Sequence, residues 1–100
     1  REYLKASEIN PEYIGTHYNL GILYQVRKEY EKAINEYLKA LEIKPDYIEA
    51  HLNLGVTYIE AGETALALEE YKIIKRLDAK KAEILFTLIP KGRQKPATGG

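Results

Sequence analysis

The chain has 100 residues with no Cys and no Met, and its fifteen Lys and Arg are balanced by fifteen Asp and Glu. At 45% hydrophobic and 30% charged it has the composition of one small folded domain, and no apolar run approaches the ~18 residues of a membrane-spanning helix. The lack of Cys excludes a disulfide framework, a thiolate zinc site and a cysteine nucleophile, while zero net charge removes any bulk electrostatic case for nucleic acid.

In chain order, a helical fragment is expected over 2–9, followed by paired helices over 12–26 and 30–43 and again over 46–60 and 64–77. A last helix is expected over 79–89, stopping at Pro90, and the polar stretch 90–100, rich in Gly and Pro, is expected to be a disordered tail. Residues 17, 20, 21 and 24 follow the spacing of one helical face, as do 30, 33, 34, 37, 38 and 41. Charge is even in total but not in place. Residues 1–70 hold seven Lys and Arg against thirteen Asp and Glu, and residues 71–100 hold eight against two. With neither a starting Met nor a charged-then-apolar leader, the sequence reads as a segment of a longer, cytoplasmic protein.

Shifted by 34 residues, the chain falls on itself. Pro11, Tyr13, Ile14, His17, Asn19, Leu20, Gly21 and Tyr24 meet Pro45, Tyr47, Ile48, His51, Asn53, Leu54, Gly55 and Tyr58. Ala33, Glu36 and Tyr37 meet Ala67, Glu70 and Tyr71, and twelve of 34 positions are identical between 11–44 and 45–78. The opening Tyr3-Leu4-Lys5-Ala6 meets Tyr37-Leu38-Lys39-Ala40.

Over residues 1–89 the sequence resembles the tetratricopeptide repeat family, whose pattern is Trp-x2-Leu-Gly-x2-Tyr, Ala-x3-Phe, Pro. It reads His17-x2-Leu20-Gly21-x2-Tyr24, Ala33-x3-Tyr37, Pro45, and then His51-x2-Leu54-Gly55-x2-Tyr58, Ala67-x3-Tyr71, with Ala79 in place of Pro. The departures are His in both Trp positions and the loss of the last Pro, from which either a smoother join to the final helix or the end of the repeat series is expected. The resemblance implies an all-α solenoid of antiparallel helix pairs. Residues 1–10 end a preceding repeat, 11–44 and 45–78 are two complete repeats, and 79–89 is a terminal capping helix. Gly21 and Gly55 are expected to admit a close helix neighbour opposite Ala33 and Ala67. Gly62 supplies a left-handed turn residue, and Lys28 holds the same place with some backbone strain.

Catalytic chemistry finds little support in these residues. His17 and His51 recur at one repeat position and are assigned to packing between paired helices. One metal cannot bridge side chains a helix spacing of about 8–10 Å apart. Buried and neutral, the two rings would destabilise the fold below about pH 6. Glu29, Glu31, Glu69 and Glu70 are placed on outer, solvated faces. No phosphate loop is present, and no cofactor or metal is expected. Most of the nine Tyr fall on shared repeat positions and are assigned to packing; Tyr18 and Tyr30 break the series.

The resemblance further implies that the first helix of each repeat lines a concave groove. Tyr18, Ile22 and Val26 in the first repeat and Leu52, Val56 and Ile59 in the second form a stripe separate from the pairing face, and these six are expected to give apolar contact. Asn19 and Asn53 are expected to bond a ligand's backbone, as in the asparagine ladders of protein O-linked N-acetylglucosamine transferases. Tyr18, Ile22, Glu49 and Asn53 stand where another branch of the family clamps a C-terminal carboxylate with cations. With no cation there, the expected partner is a protein or peptide that is apolar or mildly basic, meeting Glu49 and Glu60. Two alternatives stand beside this. One is a self-assembling scaffold, domain-swapped or head-to-tail, through Leu85, Phe86, Leu88 and Ile89 of the terminal helix. The other is a targeting region of a larger enzyme such as a glycosyltransferase.

Overall fold

A computed structural model describes residues 11–90, leaving aside the side chains of Pro11 and Glu12. Among these residues the chain forms five helices: α1 (Pro11–Val26), α2 (Tyr30–Ile43), α3 (Ile48–Glu60), α4 (Thr64–Leu77) and α5 (Ala79–Leu88). The expected fragment over 2–9 and the tail beyond Pro90 lie outside the described residues. α3 begins two residues later than the sequence suggests, because Pro45 and Asp46 form a turn and Tyr47 is the extended residue that precedes the helix.

Consecutive helices pack antiparallel, α1 on α2, α2 on α3, α3 on α4 and α4 on α5, and α3 also touches α1 and α5. The 34-residue repeat reappears in the turns. Glu29 N–H donates to the Tyr24 carbonyl (2.8 Å), and Glu63 N–H donates to the Tyr58 carbonyl (2.7 Å). This closure requires a left-handed residue after each first helix. Gly62 takes it at φ 84° without strain, and Lys28 takes it at φ 63° against the clash of its own Cβ.

The core is built on small residues that let helices approach. Ala33, Ala40, Ala50 and Ala67 are fully buried. One cluster gathers Ala33, Tyr37, Leu54, Tyr58, Ala67 and Ile89, and a second joins Ile74 of α4 to Ala82 and Leu85 of α5. The close neighbours of Gly21 and Gly55 are not Ala33 and Ala67. A Cβ at residue 21 would lie 2.5 Å from the Tyr37 ring, and one at residue 55 would lie 2.6 Å from Leu85 Cδ2.

α5, with Ile89 just after it, buries the repeat positions that α3 buries, Leu85 and Ile89 standing where His51 and Gly55 stand, and Ala82 joins them. Ile84 and Leu88 are 52% and 48% exposed, whereas Ala50 and Leu54 at the same positions of α3 are fully buried, because α3 is packed on both sides and no described helix follows α5.

Candidate functional site

A first helix in a stacked repeat must bury three directions: toward its own partner, toward the preceding helix and toward the next first helix. This requirement decides which of the sequence-selected residues remain open.

On α1, Tyr18 turns inward. Its ring lies 6.0 Å from Tyr37 and 5.2 Å from Tyr47, and its hydroxyl accepts a 2.7 Å hydrogen bond from Asn53 Nδ2. Burial raises the Tyr18 phenol pKa, the Glu49 carboxylate adds to the rise, and the Asn53 bond opposes it. Tyr37 donates from its hydroxyl to Gln25 Oε1 (2.7 Å), and Gln25 Nε2 donates to Glu60 Oε1 (3.1 Å). A polar chain therefore ties α2 to α1 and α1 to α3. Burial is the first cause that raises the Tyr37 phenol, and the charges of Tyr18 and Glu60 reinforce it.

The second-repeat stripe is largely occupied. Leu52, Val56 and Ile59 are half-buried and pack against the cluster of Ile74, Ala82 and Leu85, so α5 covers much of the apolar face assigned to a partner. The two asparagines are not equivalent. Asn19 is exposed, whereas Asn53 is half-buried with its amide nitrogen engaged by Tyr18. Of the four residues assigned to self-association, Leu85 and Ile89 are buried in their own chain and Phe86 packs on Tyr71 at 5.1 Å. Leu88 is half exposed, and the apolar residue exposed beside it is Ile84.

What stays open is Asn19, Ile22 (36% exposed), Val26 (72%), Glu49 and Glu60. Glu49 makes no ion pair among the described residues, whose cations meet Glu29, Glu36, Glu69 and Glu70 instead. Two shallow clefts lie elsewhere, at repeat-equivalent places beside the second helix of each pair. Tyr13, His17, Lys39, Glu42 and Ile43 line one of about 420 Å³, and Pro45, Asp46, Ile73, Arg76 and Leu77 line one of about 450 Å³. Both mix acid, base and aliphatic groups without a nucleophile–base pair.

The histidines sit between paired helices, but as hydrogen-bonded polar groups. His17 Nδ1 lies 2.7 Å from Glu36 Oε1 and His51 Nδ1 lies 2.7 Å from Glu70 Oε1. His51 Nε2 is also 2.7 Å from the Pro45 carbonyl oxygen. Both ring nitrogens of His51 thus face acceptors, an arrangement that the imidazolium satisfies. Burial pulls the His51 pKa down, but the bonds to Glu70 and Pro45 and the charges of Glu70 and Asp46 outweigh it, so the net shift is upward. Glu70 was assigned to an outer face; it is 9% exposed and faces α3 instead. The signal for this pairing lay in the sequence, since His17 to Glu36 and His51 to Glu70 share one separation. Among the described residues no three His, Cys, Asp or Glu gather as a metal site, and no helix is long and apolar enough to cross a membrane.

A family model for the tetratricopeptide repeat matches residues 2–35, and a second, for the TPR repeat, matches residues 27–62. No curated protein matches the chain significantly. Stacked helix pairs, the recurring left-handed turns and the two family matches agree, and the chain belongs to the tetratricopeptide repeat family.

Proposed function

We propose that this region is a non-catalytic docking module that holds a segment of a partner protein against the face of α1 and α3. Tetratricopeptide repeats generally serve as protein–protein interaction modules, and such a region can also form part of a larger enzyme. The observation that carries the finer reading is the open set Asn19, Ile22, Val26, Glu49 and Glu60, apolar at its centre and acidic at its margins. Ile22 and Val26 offer apolar area, Asn19 offers a donor and an acceptor to a peptide backbone, and Glu49 meets no cation among the described residues. The fitting partner is an apolar segment flanked by Lys or Arg. Val56, half-buried beside this set, extends the apolar centre.

A panel of synthetic amphipathic peptides, matched in apolar content and differing in charge, tests this by fluorescence anisotropy. Cationic members are expected to bind, to weaken with salt, and to lose about tenfold in affinity on double substitution Glu49→Lys and Glu60→Lys. Equal binding of acidic members, or unchanged affinity in the double variant, counts against the reading.

A further inference from the structure

The join between α4 and α5 differs from every other turn described. α1 and α2 are separated by residues 27–29, α2 and α3 by 44–47, and α3 and α4 by 61–63, but Asp78 alone separates α4 from α5. Asp78 is extended (φ −160°, ψ 100°), with no left-handed residue or Pro beside it. Its Oδ1 accepts from the Lys80 and Lys81 amides at 3.1 and 3.2 Å. That cap serves two of the four amides left open at the helix start, and it is the only side-chain cap on α2 to α5. At the next residue the repeat places Pro11 and Pro45, and this chain has Ala79, which a continuing helix accepts.

The buried face also runs through the join. Ala67, Tyr71 and Ile74 on α4, and Ala82 and Leu85 on α5 with Ile89 just after it, are spaced by three or four residues within each set, and Asp78 lies in register between Ile74 and Ala82. Written as one helix over 64–88, this is an inward stripe interrupted by a single polar residue, Asp78. α5 packs chiefly on α3 and α4, so a copy of those two helices from another chain offers it an equivalent seat.

We propose that α5 is exchanged between two copies of this chain. α4 and α5 straighten through Asp78 into one helix, and the α5 of each copy docks on α3 and α4 of the other. Straightening gives the open carbonyls of α4 the open amides of α5, at the loss of the Asp78 cap. The Tyr71–Phe86 and Gly55–Leu85 contacts are kept, now between chains. Charge favours the encounter. The exposed Lys72, Lys75, Arg76 and Lys80 lie in the basic end, and residues 1–70 of the other copy carry the acidic surplus. The Ile22 and Val26 face takes no part, so this inference stands apart from peptide docking.

The full chain and two variants, followed by light scattering on size exclusion across protein concentration, test the exchange. The wild type is expected to populate both 11.5 kDa and a species of twice that mass. Asp78→Ala removes the cap and is expected to strengthen dimerisation by about tenfold. Ala79→Pro leaves the first position of α5 intact, where Pro is tolerated, and suits the extended Asp78 before it, but it forbids the continuous helix; it is expected to give a folded monomer at every concentration. Because the chain has no Cys, the pair Tyr71→Cys and Phe86→Cys supplies a second readout: exchange gives an interchain disulfide on a non-reducing gel. Intrachain cross-links alone, a dimer that survives Ala79→Pro, or a monomer in both wild type and Asp78→Ala each overturn the proposal.

Discussion

His51 faces two acceptors at once, the Glu70 carboxylate and the Pro45 carbonyl, and so works as a hydrogen-bonded clasp between α3, α4 and the turn before α3. Its pKa is raised above the ordinary 6.5, because the bonds to Glu70 and Pro45 outweigh the opposing effect of burial. A raised folded-state value reverses the acid sensitivity expected for a buried neutral ring. The stability His51 contributes is fully present below pH 6.5, where both states are protonated, and is lost as pH rises through the folded-state value. Thermal melts are therefore expected to fall from pH 6.5 into the alkaline range in wild type, and Glu70→Gln is expected to flatten that fall. A melting temperature that instead drops from pH 6.5 to 5.5 through His51 contradicts the assignment. His51→Ala leaves Glu70 buried without its partner and is expected to cost about 3 kcal/mol at neutral pH. The two notch glycines make a second test at the same scale. Ala at residue 21 meets the fully buried, hydrogen-bonded Tyr37 ring, and Ala at residue 55 meets the fully buried Leu85 with Glu70 Cβ behind it at 3.4 Å. Gly21→Ala and Gly55→Ala are each expected to destabilise by about 1–3 kcal/mol despite the better helix propensity of Ala, as read by urea melts.

The elements follow the repeat closely enough that their turns can be tested against each other. Lys28 and Gly62 occupy the same left-handed position, at φ 63° and 84°. Lys28→Gly is expected to stabilise the protein by about 1 kcal/mol, and Gly62→Ala to destabilise it by a similar amount. This position was legible in the sequence, because a Gly in one copy facing a Lys in the other marks a turn that sterics must close in the same way. The helix starts and stops were legible within one or two residues for the same reason: Pro, Gly and the 34-residue spacing mark the breaks. The candidate site was legible only in part. Periodicity shows which residues of a helix are apolar but not how many neighbours share that face. Leu52, Val56 and Ile59 therefore look like an open stripe until α5 is seen lying along them. Ile22 and Val26, at the far end of the same pattern on α1, remain exposed. The orientation of α5 was legible in part: Lys80, Glu83 and Thr87, spaced by three and four, mark the exposed side opposite Ala82 and Leu85, but nothing in the pattern shows that Ile84 and Leu88 are left uncovered.

At the scale of the whole molecule, α3 is the element that touches each of the other four helices. Leu54 sits at its centre, fully buried, in the cluster that joins Tyr37 of α2 to Ala67 of α4 and Ile89 beyond α5. In a long repeat array stability is nearly a sum over neighbours, and ends can fray alone. Among the described helices each of the other four packs on α3, so losing its packing removes a face from all of them. Leu54→Ala is expected to cost about 3 kcal/mol, which for a domain of this size lowers the melting temperature by about 15 °C. The whole-molecule content of the prediction is cooperativity. Helicity by circular dichroism and the fluorescence of the Tyr18, Tyr37 and Tyr47 cluster should be lost in one coincident transition, in wild type and variant alike. Leu38→Ala, which truncates a side chain 42% exposed on α2, is the matched control and is expected to shift stability by about 0.5 kcal/mol or less. Separate transitions for the two probes in the Leu54 variant would mean that the helix pairs are stable by themselves, and that α3 joins two units without holding them up.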